Sequence, residues 1–149
     1  MFNRVLMVCV GNICRSPMAE ALLKTRLRFR RPGMVVESAG ISALVGRGAD
    51  PHAVELLAER GIDLGPHRAR QLTPQLVRDF ELVVVMDGMQ QKAVEAMVPS
   101  ARGKVHRLGT FGDFDVPDPY GGERAAFEEA LSLIERGLET FEQKFWSRA

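Results

Sequence analysis

Residues 4–20 read RVLMVCVGNICRSPMAE. Val5–Val10 is an uninterrupted apolar run, the pattern of a central parallel strand covered on both faces. It ends in the short loop GNICRS, residues 11–16. Pro17 then suits the first turn of a helix, where a missing N–H costs nothing. Strand, tight loop and helix follow one another within these residues, and the rest of the chain repeats the alternation.

Working outward, MAEALLKTRLRF (18–29) is rich in helix formers, and Pro32-Gly33 ends it. MVVESAG (34–40) reads as a second strand. DPHAVELLAERGI (50–62) reads as a helix with Asp50 as N-cap, Pro51 at its first position and Gly61 at its C-terminus. LTPQLVRDF (72–80) is a shorter helix capped by Thr73. ELVVVMD (81–87) is a third buried strand, DGMQQKAVEAM (87–97) the helix after it, and KVHRL (104–108) a weaker fourth strand. A long loop, GTFGDFDVPDPYGGE (109–123), enters a final helix. There Phe127, Leu131, Ile134, Leu138, Phe141 and Phe145 fall on one face. That stripe suits packing on the sheet better than a dimer seam. Strands alternating with helices specify an α/β domain with a parallel sheet and right-handed crossovers. Such sheets bind ligands at the carboxyl ends of their strands, where CVGNICRS sits.

The totals narrow the class. The chain has 149 residues, 46% of them hydrophobic, which suits one domain over 1–149 with a full core. A net charge of +1 gives no reason to expect nucleic acid or an anionic membrane as partner. The apolar run at the N-terminus is too short for a signal peptide, and nothing approaches a membrane span. Two cysteines five positions apart make no disulfide framework. The expectation is a cytoplasmic protein with reduced thiols.

The loop carries the chemistry. A Cys with an Arg six places on is a weak signal alone; its place between a strand and a helix N-terminus strengthens it. Such a loop points several backbone N–H groups into one concavity, which with the helix dipole binds a phosphate-sized anion; Val10, Gly11, Asn12, Ile13, Cys14, Arg15 and Ser16 are the candidate phosphate-binding residues. Gly11 can take a positive φ, and Asn12 tolerates one. Arg15 adds a planar fork for two phosphate oxygens. The same field favours a thiolate, so Cys9 is expected to be an ionised nucleophile facing bound phosphate, with Ser16 donating to its sulfur. The alternative is a buried strand cysteine and nothing more. The Walker pattern GxxxxGK is absent. An ester also needs its leaving oxygen protonated, and Asp118, held between Pro117 and Pro119, is the candidate acid. An ordinary Asp-Pro turn is the equal alternative.

VCVGNICRSPMAEALL, SAG, GADPHAVELLAERGI, HRARQL and DPYGG occur in that order. Together they resemble the low-molecular-weight protein-tyrosine phosphatases over essentially the whole chain. ALVGRGADP most resembles bacterial members associated with exopolysaccharide and capsule production. The resemblance implies three layers, with a four-stranded parallel sheet in the order 2-1-3-4 and helices on both faces. It implies hydrolysis without metal or cofactor, through a phosphocysteine on Cys9. Arg15 and the loop amides would stabilise the equatorial oxygens, and Asp118 would serve as acid and then base. By the same resemblance Ser16 eases thiolate formation, and Asn12 braces the loop, itself held by Ser38 and His67. Tyr120 flanks the substrate ring and Leu44 forms the other wall. Gly121 departs from the second aromatic many members carry, leaving the far side of the slot open. Ile13 stands where related arginine phosphatases have Thr, which argues against phosphoarginine. Cys14 would form a protective disulfide with Cys9 under peroxide. The implied partner is a phosphotyrosine protein, in particular an autophosphorylating bacterial tyrosine kinase governing polysaccharide export.

Three rivals remain. Thioredoxin-coupled arsenate reductase needs two further cysteines, and none follows Cys14. A non-catalytic phosphate or phosphopeptide binder would keep the loop but has no need of Asp118. The cluster Arg26, Arg28, Arg30 and Arg31 is either a docking patch or the solvated end of a helix.

Overall fold

Strand β1 (Arg4–Cys9) forms where the apolar run demands it, and Val5 to Cys9 are all buried. The computed structural model describes residues 2–147. β1 pairs in parallel with β2 (Val35–Gly40) on one side and β3 (Leu82–Val85) on the other; β4 (Val105–Arg107) pairs with β3. The order is β2-β1-β3-β4, as the resemblance implies.

Side chains of a strand alternate between faces. Val5, Met7 and Cys9 therefore join a core with helices α1 (Arg15–Leu27), α2 (Pro51–Ala58) and α5 (Arg124–Phe145). Leu6 and Val8 join the opposite core with α3 (Pro74–Asp79) and α4 (Gly88–Met97). Each of these buried apolar side chains contributes about 1.5–3 kcal/mol relative to exposure. Two layers of helix thus clamp the strand whose end carries the Cys9 loop.

The caps form as their residue types dictate. Asp50 accepts from the His52 N–H and Thr73 from that of Leu76. Gly61, at φ +73°, closes α2 with its N–H on Ala58 O while Ile62 N–H reaches back to Leu57 O. This paired closure explains why the regular helix stops at Ala58, short of the expected Ile62. α1 stops at Leu27, before Phe29. A 3-10 turn over Pro99–Lys104 was not anticipated.

The apolar stripe of α5 is core, with Phe127, Leu131, Ile134, Leu138 and Phe141 all buried. The helix runs beside α1. There Glu142 accepts hydrogen bonds from both Arg26 and Arg30, and Arg30 also reaches Trp146 O. Two arginines of the basic cluster are thus spent tying α1 to α5, which removes them from a docking patch. Trp146 is buried, and its indole N–H donates to Phe2 O at 3.0 Å. No helix among the described residues is long and apolar enough to cross a membrane.

Candidate active site

At the carboxyl end of β1 the chain turns through residues 10–14 into α1, and every carbonyl in that turn has an outside donor. Val10 O accepts from Ser42 N, Gly11 O from Leu44 N, Ile13 O from Asp50 N and Cys14 O from Met18 N. Asn12 O accepts from His67 Nε2 at 2.7 Å. A trans peptide points its N–H opposite its carbonyl. The N–H groups of Gly11 through Arg15 therefore converge inside the loop. None of those of Gly11, Asn12, Ile13 or Cys14 donates to another protein atom among the described residues. That concavity has the form of a nest, backed by the α1 dipole, a geometry suited to an anion.

The positive φ in the loop falls on Asn12, at +59°, and not on Gly11. Asn tolerates this conformation because its amide can bond locally, and here that amide is fully engaged. Asn12 Nδ2 donates to Ser16 Oγ at 2.8 Å and Ser38 Oγ at 2.9 Å. Its Oδ1 accepts from the Arg70 N–H at 2.9 Å. Ser16 Oγ, accepting from Asn12, is left to donate its proton to Cys9 Sγ, 2.9 Å away. The Ser16 N–H also points at that sulfur, at 3.4 Å. Ser38 in turn donates to Glu20 Oε1.

Arg15 is only 2% exposed. One edge of its guanidinium is anchored: Nη1 donates to Val116 O at 2.9 Å and lies 3.4 Å from Asp87 Oδ2. The other edge is free, for Nε is buried with no hydrogen-bond partner among the described residues. Nη2 lies 3.7 Å from Asp118 Oδ2. Asp118 is half exposed, and its Oδ1 accepts from the Tyr120 N–H, which fixes the carboxylate over the loop. Burial, and then the charge of Asp50, hold the Cys14 thiol well above its ordinary value of 9.0.

A cavity of about 190 Å³ joins these parts, lined by Cys9, Arg15, Leu44, Asp118 and Tyr120 with the loop residues Val10, Gly11, Ile13 and Cys14. A family model described as low molecular weight phosphotyrosine protein phosphatase matches residues 4–147. The chain belongs to that family. It is 50% identical to the probable low molecular weight protein-tyrosine-phosphatase EpsP of Ralstonia solanacearum, over 95% of this chain and 94% of that protein. It is 43% identical to the low molecular weight protein-tyrosine-phosphatase Wzb of Salmonella typhimurium, over 96% of this chain and 94% of that one. Among solved structures, Vibrio vulnificus Wzb in complex with benzylphosphonate superimposes with a TM-score of 0.90 at 38% identity, covering 97% of this chain and 100% of that one.

The thirteen residues expected from the sequence to form the site converge here: nine line the cavity, while Asn12, Ser16, Ser38 and His67 brace the loop from behind. Sequence reasoning missed Ser42 in the wall and Asp87 and Val116 behind Arg15. It also missed Arg70 and Glu20 behind Asn12 and Ser38. Asp87 had a signal, as an acid at the carboxyl end of a strand paired with β1. Its Oδ1 also caps α4 by accepting from the Gln90 N–H. Among the described residues no group of His, Cys, Asp and Glu is arranged to hold a metal ion.

Proposed function

We propose that this chain hydrolyses phosphotyrosine in proteins by two in-line displacements at Cys9. The observation that carries the reading is the nest of inward N–H groups closed by the free edge of Arg15, with Cys9 Sγ at its base. In the first step a sulfur electron pair forms the S–P bond as the P–O bond to the phenol breaks. Asp118, as the carboxylic acid, gives its proton to the departing oxygen. In the second step Asp118, now carboxylate, takes a proton from water. The water oxygen bonds to phosphorus, the S–P bond breaks and the thiolate leaves toward Ser16 Oγ. The equatorial oxygens stay on the loop amides and on Nε and Nη2 of Arg15, which bear their charge through both transition states. Asn12 holds the loop open from behind.

A slot walled by Leu44 and Tyr120 above this base suits an aryl phosphate, and the complex of the Vibrio relative with benzylphosphonate supports an aromatic occupant. The substrate we assign is a phosphotyrosine protein, specifically an autophosphorylating tyrosine kinase of bacterial polysaccharide export. The likeness to EpsP and Wzb, both named as protein-tyrosine phosphatases, supports a phosphotyrosine protein as substrate, and the kinase follows from the resemblance of ALVGRGADP to the exopolysaccharide-associated members. Under peroxide, Cys9 oxidised to the sulfenic acid condenses with the Cys14 thiol, forming the disulfide and releasing water.

Mass spectrometry of enzyme quenched in acid during turnover of an aryl phosphate tests the pathway. Phosphate on Cys9, and no turnover by Cys9→Ser, is the expected result. Turnover with no phosphorylated Cys9 peptide overturns it. Phosphate binding without turnover of para-nitrophenyl phosphate would instead make the chain a binding module.

A further inference from the structure

Beside the catalytic slot lies a second groove of about 450 Å³, lined by Ile13, Arg47, Gly48, Ala49, Asp50, Pro51, Tyr120 and Gly121. Ile13 and Tyr120 belong to both cavities, so they form the partition between them. A peptide whose phosphotyrosine fills the slot can reach the groove by running across that partition. Both walls beyond it lack a side chain at a key point. Gly121 adopts φ +78°, a conformation that disfavours any replacement, and a Cβ there would meet nothing within 4 Å. Gly48, from the loop after β2, lines the same groove. The absent second aromatic thus opens the slot onto a groove that a neighbouring residue can enter.

Arg47 supplies that groove's cation. Its backbone is pinned: Arg47 O accepts from Ala69 N, Arg47 N donates to Leu44 O, and Leu44 N donates to Gly11 O in the catalytic loop. The side chain is exposed, and among the described residues no carboxylate lies within 4.0 Å of its guanidinium. The opposing charge, Asp50, is engaged differently. Its carboxylate accepts from the His52 N–H at the N-terminus of α2, where the helix dipole offsets it. A guanidinium without a partner, on a fixed backbone, beside a site for an anionic substrate, is a receptor for a further anion.

We propose that Arg47 and this groove form a specificity subsite for a second anionic side chain flanking the phosphotyrosine, either a carboxylate or another phosphate. The proposal rests on the phosphotyrosine reading above and adds the class of peptide preferred. An exposed arginine–carboxylate pair favours such a peptide about threefold, and a phosphate by more.

The test compares kcat/KM for phosphotyrosine peptides with alanine, glutamate, lysine or a second phosphotyrosine at each of the two positions on either side. Each value is normalised to para-nitrophenyl phosphate, which ends at the slot. Wild-type enzyme should prefer an anionic peptide over the alanine peptide and disfavour lysine, with the preference shrinking in 0.5 M salt. Arg47→Lys should keep part of the preference, Arg47→Ala should lose it, and Arg47→Glu should favour lysine. Glutamate and phosphotyrosine arms distinguish the two sources of negative charge. Equal use of all peptides by wild-type enzyme, or an unchanged ratio in Arg47→Ala, overturns the subsite. Inactivity toward every substrate would instead condemn the phosphatase reading.

Discussion

Two aspartates flank Arg15, and their surroundings separate their work. Asp87 spends one oxygen on the α4 cap and the other beside Arg15 Nη1. Asp118 faces the cavity, with one oxygen on the Tyr120 N–H and the other toward Arg15 Nη2. Asp118→Ala should therefore slow turnover by about 10²–10⁴-fold for alkyl phosphates and much less for para-nitrophenyl phosphate, whose leaving group needs little protonation. Equal slowing across a leaving-group series would refute its role as acid. Asp87→Asn keeps a good cap but removes the charge beside Arg15. We expect an unchanged urea midpoint and a fall in kcat/KM of about tenfold, as a positioning loss gives. Cys14 gives a pH prediction. Its folded-state pKa is raised, so its contribution to stability is complete below pH 9.0 and declines as pH climbs beyond that value. Between pH 8 and pH 10 wild type should lose up to about 1.4 kcal/mol per pH unit relative to Cys14→Ala. Urea unfolding of both proteins at the two pH values measures the difference.

At the scale of elements, α5 shows where local rules and packing compete. Alanine normally stabilises a helix interior by about 1 kcal/mol over glycine. At Gly137 a Cβ would sit 2.6 Å from Leu108 Cγ and 2.9 Å from Leu108 O, and the backbone oxygen cannot yield cheaply. Overpacking of about 1–3 kcal/mol wins, so Gly137→Ala should lower the urea midpoint. Glu142→Gln strips the shared carboxylate from Arg26 and Arg30 and should cost about 1–3 kcal/mol, with kcat/KM per folded molecule retained. The elements themselves were legible because their signals are local. Val5–Val10 is continuous, Asp50-Pro51 is a cap with its first residue, and the α5 stripe keeps helical spacing. Partners were not legible. A run of arginines looks the same whether solvated or, as here, paired with a carboxylate more than a hundred residues away.

Across the whole molecule the same division holds at the site. Cys9, Arg15 and Ser16 share one short segment and announce their chemistry. Asp87 and the Arg70 N–H reach the loop only through the fold, from 72 and 58 residues away. The positive φ fell on Asn12 because its amide has partners on α1, on β2 and at the Arg70 N–H, which a glycine could not use. Since the cradle's anchors come from so many parts of the chain, anion binding should stabilise the fold as a unit. Phosphate at a hundred times its Kd should add about 2.7 kcal/mol and raise Tm by about 5–10 °C, measured by calorimetry. An unchanged Tm despite measured binding would mean the loop folds independently of the sheet. The single indole offers a way to watch this. Trp146 is held against Phe2 O before β1 begins, whereas Cys9 closes that strand about 20 Å further on. Its emission should register collapse of the fold while staying deaf to occupancy of the cradle, giving the protein a built-in optical reference against which ligand titrations can be zeroed.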